Sequence, residues 1–173
     1  MTVLSYILSI LGLVCMIIAS LSKGDKMKTI LILVCLGNVL PATSYLLTSG
    51  INGAAACYLG ALQALINYFF YSQNRALPKW LIVTYAAAIV VLNIAVAGGI
   101  TPLGVLVIVA SLTFIMCIGQ TSGAKYRFWT IFNLLLWIVY DAFSASYGNL
   151  YMTHTPLLIF TVAGMIIHDR KKA

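Results

Sequence analysis

All ten lysines and arginines of this chain fall in short polar breaks on one side of a strict alternation. Lys23, Lys26 and Lys28 share one break, Arg75 and Lys79 the next, Lys125 and Arg127 a third, and Arg170, Lys171 and Lys172 the last. The intervening breaks, at Ser49-Gly50-Ile51-Asn52, Ala97 to Thr101 and Tyr147-Gly148-Asn149, carry no charge. Between the breaks run seven apolar stretches, near 3–21, 29–48, 52–72, 80–98, 101–119, 128–147 and 152–168. Each approaches the ~20 residues that a helix needs to cross a hydrocarbon core. Basic residues are retained on the cytoplasmic side. The pattern therefore predicts an all-α membrane protein of seven transmembrane helices, with its N-terminus outside and its C-terminus cytoplasmic.

Composition agrees. The chain is 62% hydrophobic and only 8% charged, with a mean hydropathy of +1.05, too few charges to keep a soluble domain dispersed. Seven spans use nearly every residue and leave no room for a soluble domain. The net charge of +7 is spread two or three residues at a time. Topology and anionic headgroups account for it, so membrane lipids, and not nucleic acid, are the expected partners. Residues 1–21 have the apolar run of a secretory leader but no basic segment before it; the first charge, Lys23, follows the run. That favours an uncleaved first span. Cys15, Cys35, Cys57 and Cys117 all fall within predicted spans and form no Cys-x-x-Cys. They read as small apolar packing residues, and neither a metal nor a cofactor is expected.

An internal repeat runs through the second and sixth spans. Asn38, Leu40, Tyr45, Ser49 and Gly53 match Asn133, Leu135, Tyr140, Ser144 and Gly148, every pair 95 positions apart (133 minus 38 for the first). Chance matches between apolar runs are mainly in Leu, Val and Ile, whereas here Asn, Tyr, Ser and Gly match. The repeat divides the chain into a first triple-helix unit at 1–72, a linker helix at 73–100 and a second triple-helix unit at 101–173. Three spans plus one linker give both units the same orientation, a 3+1+3 arrangement about an axis along the membrane normal.

With Leu36-Gly37-Asn38 through Tyr45, the Gly-rich turn and the third span, the chain resembles the SWEET, SemiSWEET and PnuC-like transporters, and among them the bacterial YgjV-type inner-membrane proteins. The resemblance implies parallel triple-helix repeats joined by a linker helix, a location in the bacterial inner (plasma) membrane, and transport by alternating access. It also implies that Asn and Trp near mid-membrane touch substrate, which here corresponds to Asn133 and Trp137, with Asn38 by repeat symmetry. The Pro-Gln pair of many relatives is absent: Pro41 is the only mid-span proline, and Leu136 takes its place in the second repeat.

Helical spacing sets the polar residues in stripes. Asn38, Pro41 and Tyr45 form one, Asn133, Trp137, Tyr140, Asp141 and Ser144 a second, Gln63, Asn67 and Tyr71 a third, and His154, Thr161 and His168 a fourth. Polar side chains facing lipid are costly, so the stripes should face inward. Amides donate and accept while Trp and Tyr offer flat faces, a combination suited to a neutral hydrogen-bonding solute. Asn38, Tyr45, Asn67, Asn133, Trp137 and Tyr140 are the candidate substrate-binding residues. A central cavity between the repeats is expected, lined by Asn38, Tyr45, Asn133, Trp137 and Tyr140. The bland alternative is that the amides only bond neighbouring helices, and it applies most to the lone Asn93.

Asp141 is the only acid inside a span, and no Lys or Arg is expected within a span to pair with it. A lone carboxylate in hydrocarbon is held as the neutral acid. Asp141 is expected about 10 Å below the outer end of the sixth span at 1.5 Å per residue, within reach of His154. The two form a candidate proton-linked outer gate; a protonated Asp141 bonded to a Tyr or Thr is the alternative. Asp25 and Asp169 should be solvated among cytoplasmic basic residues. Pro41 removes a helix hydrogen bond and makes either a hinge or a fixed kink. Pro78, Pro102 and Pro156 should set helix starts.

A small transporter or facilitator for a sugar, nucleoside or vitamin precursor is the first expectation. The alternative is a non-transporting membrane protein that binds or assembles a partner, with small-residue surfaces such as Gly60-x-x-x-Ala64 able to pack helices within a chain or in a homo-oligomer. No enzyme is expected: the sequence has no His-Glu-x-x-His, no pair of intramembrane aspartates and no serine with a convincing histidine base.

Overall fold

The computed structural model describes residues 3–47, 51–97, 101–145 and 147–169. Among them there are only helices and turns. Helix α1 is Val3–Leu21, α2 Met27–Leu47, α3 Ile51–Ser72, α4 Lys79–Ala97, α5 Pro102–Ile118 and α6 Gly123–Phe143. A seventh rod is composite: one turn of α7 (Tyr147–Asn149), a π-helical turn (Leu150–His154) and α8 (Thr155–Asp169) follow without a break. Four helical segments, Val3–Leu21, Met27–Leu47, Ala54–Ser72 and Leu150–Asp169, are long and apolar enough to cross a membrane. Lys79–Ala95 and Pro102–Ile118 are shorter apolar helices. This fits a membrane protein, as do the many Leu, Ile, Val and Phe side chains exposed on the bundle.

Local chemistry explains most of the helix ends. Thr101 caps α5 by accepting from the Gly104 N–H at 3.0 Å, with Pro102 in the first helical position, where its missing N–H costs nothing. Ser122 caps α6. Asn74, with φ of 54°, ends α3 in a left-handed cap, in which the Arg75 N–H donates to the Phe70 carbonyl and that of Asn74 to Tyr71. Several polar side chains on the outer helix faces return to their own backbone. Thr43 bonds the Val39 carbonyl, Thr84 that of Trp80 and Asn93 that of Ile89.

The rods pack in a closed order. α2 lies between α1 and α3, and α6 between α5 and α8; α3 touches α5, and α8 touches α1. α4 rests on α5 and α3 from outside this ring, through Leu81, Tyr85 and Ile89 against Ile115. Close approaches use glycine. A Cβ on Gly12 would lie 2.6 Å from the Pro41 ring, and one on Gly37 would lie 2.6 Å from Met16. Pro41 therefore sits in a notch of α1, with α2 helical on both sides of it. Gly60 faces Asn38 and Phe114 of its own chain, so the Gly60-x-x-x-Ala64 surface packs internally.

The basic breaks gather at one end. The Gly123 N–H donates to the Gly24 carbonyl at 3.0 Å, and Arg75, Ala76 and Leu77 lie beside Gln120 and Thr121. We call this the basic end and the opposite one the neutral end. At the basic end α1 and α8 meet closely: a Cβ on Gly164 of α8 would come within 2.3 Å of the Ser20 carbonyl oxygen. Backbone cannot yield as a side chain does. Gly164→Val should therefore lower stability by about 1–3 kcal/mol or more, as overpacking does, read as a lower melting temperature in detergent. A melting temperature equal to wild type would mean that α1 and α8 are further apart.

Several expectations are corrected. The Gly148-Asn149 break is helical; the turn after α6 comes earlier, through the Ser144 cap and Ala145 at φ 54°. α6 starts at Gly123 and ends at Phe143, well before residues 128 and 147. Asp141 is thus in the last turn of its helix, about 3 Å from the end at 1.5 Å per residue. Arg127 lies inside α6 and is buried, and Asp169 is its partner instead of being solvated. Pro156 follows a π turn in a continuous helix and does not start one. The Ser49-Gly50 connection, residues 98–100 and Arg170 to Lys172 lie outside the described residues.

Candidate functional site

The composite last rod builds one wall of the site. Pro156 has no N–H for the Met152 carbonyl, and its ring crowds that turn. The chain widens ahead of it: the Thr155 N–H reaches back five residues to the Leu150 carbonyl, giving the π turn. Such one-turn bulges turn side chains away from the regular helical register. Here the bulge ends on His154.

His154 is held from two sides. Its Nδ1 lies 2.6 Å from Asp141 Oδ2, and its ring stacks on Trp137 at 5.7 Å between centroids and 16° between planes. Tyr140 meets Trp137 edge-on at 5.5 Å and 87°. Asp141 is 1% exposed, whereas the His154 side chain is 19% exposed. One carboxylate oxygen thus fixes the imidazole, and the other imidazole nitrogen is left for a ligand or a proton.

In front of His154 is a cavity of about 240 Å³. α1 contributes Ser9, Gly12 and Met16, α2 contributes Gly37, Pro41, Ser44 and Tyr45, and the last rod contributes Asn149, Thr153 and His154. Its rim includes exposed Tyr45 and Asn149, at the neutral end. Gly12 and Gly37 let α1 and α2 close on each other at its floor, with Pro41 and Met16 packed against them. Ser9 donates to Ser44 at 2.9 Å, and Ser44 to the Ser5 carbonyl at 2.8 Å. These hydroxyl protons are engaged with protein, so the serines present mainly lone pairs to an occupant. Among the described residues no Lys or Arg lines the cavity.

No protein-family model matches the chain, and neither does any curated protein or solved structure.

The residues singled out from sequence are divided among four places. Tyr45 and His154 line the cavity, with Trp137, Tyr140 and Asp141 directly behind His154. Asn133 does not line it: its Nδ2 donates to the Ala110 carbonyl at 2.6 Å and lies 3.0 Å from Thr113 Oγ1, tying α6 to α5. Asn38 donates to the Val34 carbonyl at 2.8 Å and faces α3 at Gly60. Asn67 donates to the Ile118 carbonyl at 3.0 Å and accepts from Tyr85 at 3.2 Å, toward the basic end. The expected central cavity between repeats is therefore displaced to the gap between α1, α2 and the last rod, and of its five expected residues only Tyr45 lines it. The reason is energetic. A buried amide left unbonded costs about 1–3 kcal/mol, and these amides meet that demand with neighbouring carbonyls. Gln63 Nε2 is buried without a partner among the described residues.

Ser9, Ser44, Asn149 and Thr153 are site residues that were not singled out. Ser5, Ser9 and Gly12 recur at i, i+4 and i+7, which signals a small polar stripe on α1. Nothing in the sequence pairs that stripe with Tyr45 or Thr153.

Proposed function

We propose that this chain is a small transporter or facilitator for a neutral hydrogen-bonding solute, a sugar, nucleoside or vitamin precursor, in the bacterial inner membrane. The observation that carries the reading is a cavity at the neutral end whose apolar wall carries hydroxyls, an amide and an imidazole, while at the basic end Arg127 ties α1, α6 and α8 together. That is the form expected of one state in an alternating-access cycle. An anionic solute would lose its hydration with no cation in the wall to replace it. A neutral one finds hydroxyls, an amide and an imidazole. The volume is below the roughly 300–1,000 Å³ of drug-sized sites, so the solute is small.

In this reading all seven rods span the bilayer, with the neutral end outside and the basic end cytoplasmic. The packing order supports a 3+1+3 repeat. Exchanging α1 with α5, α2 with α6 and α3 with the last rod turns the contact of α1 with α8 into that of α5 with α3. Asn38 and Asn133 both lie midway along their helices, and α4 stays outside the ring, as a linker would. His154 and Asp141 act as a proton-linked gate at the outer mouth.

Tracer uptake into proteoliposomes tests the function. Radiolabelled sugars, nucleosides and pyridine or pyrimidine vitamin precursors should include at least one that accumulates faster than in empty liposomes and is competed by its unlabelled form. Absence of uptake across that set, with folded protein, would favour the partner-binding alternative.

A further inference from the structure

The basic end contains the most complete polar network among the described residues, and the cavity chemistry does not use it. At its centre is Arg127, 0% exposed in a chain with 8% charged residues. Its Nε donates to Asp169 Oδ2 at 2.8 Å and its Nη2 to Oδ1 at 2.5 Å, a two-point grip on the last residue of α8. Nη1 donates to the Ser22 carbonyl at 2.6 Å and is 3.4 Å from that of Ser20. His168 Nε2 is 2.9 Å from the Leu21 carbonyl, and Thr161 donates to Ser20 Oγ at 3.0 Å.

The last carbonyls of a helix have no partner within it. The carbonyls of Ser20 and Leu21 at the end of α1, and of Ser22 just past it, meet side chains of α6 and α8, so this end of α1 is tied to both helices. We infer that this cluster is a releasable latch closing the basic end of the pathway that begins at the neutral-end cavity. The inference rests on the transport reading for its purpose and on geometry for its position.

Its position makes it a latch and not a fixed tie. Asp169, Leu21 and Ser22 lie at or just past helix ends, and Asp169 is 13% exposed, within reach of water. When the helices part, water takes over the carbonyls, the guanidinium and the carboxylate, and such an exchange of hydrogen bonds is nearly balanced. A pair this well buried adds little stability over a hydrophobic substitute; what it adds is a contact with two satisfied states, joined and hydrated. The backbones it holds together meet closely: Gly164 lies on the Ser20 carbonyl and Gly123 on Gly24.

Cys117, 1% exposed, is packed with Ala19, Met27 and Tyr126 just behind the latch, one residue from the end of α5. It reports on opening. In protein with Cys15, Cys35 and Cys57 changed to serine, reconstituted in vesicles, a charged impermeant maleimide applied to the basic end should label Cys117 slowly. Asp169→Asn and Arg127→Lys, which weaken the two-point grip while keeping the shape, should each raise that rate about tenfold, the effect of weakening closure by some 1.4 kcal/mol. Low urea should leave the rate unchanged, because local opening exposes little surface. A rate unchanged in both folded variants overturns the latch, and so does a rate that rises with urea in step with global unfolding. Labelling needs no solute: faster labelling without any uptake keeps the latch and removes the transport reading, whereas uptake with Cys117 never labelled does the reverse.

Discussion

Arg127→Leu should destabilise the closed bundle by about 3 kcal/mol, the low end of the 3–5 kcal/mol seen when one partner of a buried pair is removed. Leucine supplies none of the donors that Asp169 and the Ser20 and Ser22 carbonyls now use. The low end applies because Asp169, 13% exposed at a helix terminus, can turn to water once its partner is gone. At roughly 2–4 °C per kcal/mol for a chain of this size, the melting temperature in detergent should fall by about 6–12 °C. Lys125→Leu, two residues away on the exposed face of α6, is the control and should change it little. Equal melting temperatures for the two variants would mean that Arg127 is hydrated in the native protein and holds nothing.

The second large effect concerns uptake. Trp137→Ala removes the surface on which His154 stacks and leaves a void beside Asp141. If the cavity is the solute site, uptake should drop by about tenfold or more, since a displacement of one ångström at a site can cost two orders of magnitude in rate. Asp141→Asn keeps an oxygen against His154 but removes the titratable carboxyl. If the pair is the proton-linked gate, this variant should retain uptake at a fixed pH and flatten any dependence on pH. Asn133→Leu is the informative contrast. Its amide bonds α5 and does not line the cavity, so it should lower stability by about 1 kcal/mol and spare the solute affinity. Normal uptake in Trp137→Ala together with loss in Asn133→Leu would move the site to the expected central axis.

Parts of this architecture are legible one helix at a time. The first span coincides with α1, and most other boundaries lie within a few residues of the apolar runs. The exceptions share a cause. The Gly148-Asn149 pair reads as a turn, but the chain turns earlier, at Ser144 and Ala145, and the helix then continues through a π bulge that Pro156 requires. Arg127 reads as a loop residue because it is basic and follows Lys125. Its neighbours Tyr126, Phe128 and Trp129 are the sign that it lies within a helix.

The sequence by itself determined the helical class, the apolar rods and the basic end. Hydropathy and charge are sums over neighbouring residues, and a bilayer acts on those sums. It also brought Asp141 and His154 into consideration, because an acid and an imidazole in apolar runs have few partners available. Only the tertiary structure decided which polar groups satisfy one another. Asn133 bonds α5, Asn67 the end of α5, Arg127 the ends of α1 and α8, and Ser9 the hydroxyl of Ser44. Each of these pairs is separated by twenty or more residues, and each follows from how the helices are rotated and how closely glycines let them approach. A buried hydrogen bond is worth making wherever geometry allows it, and that geometry exists only in the assembled bundle.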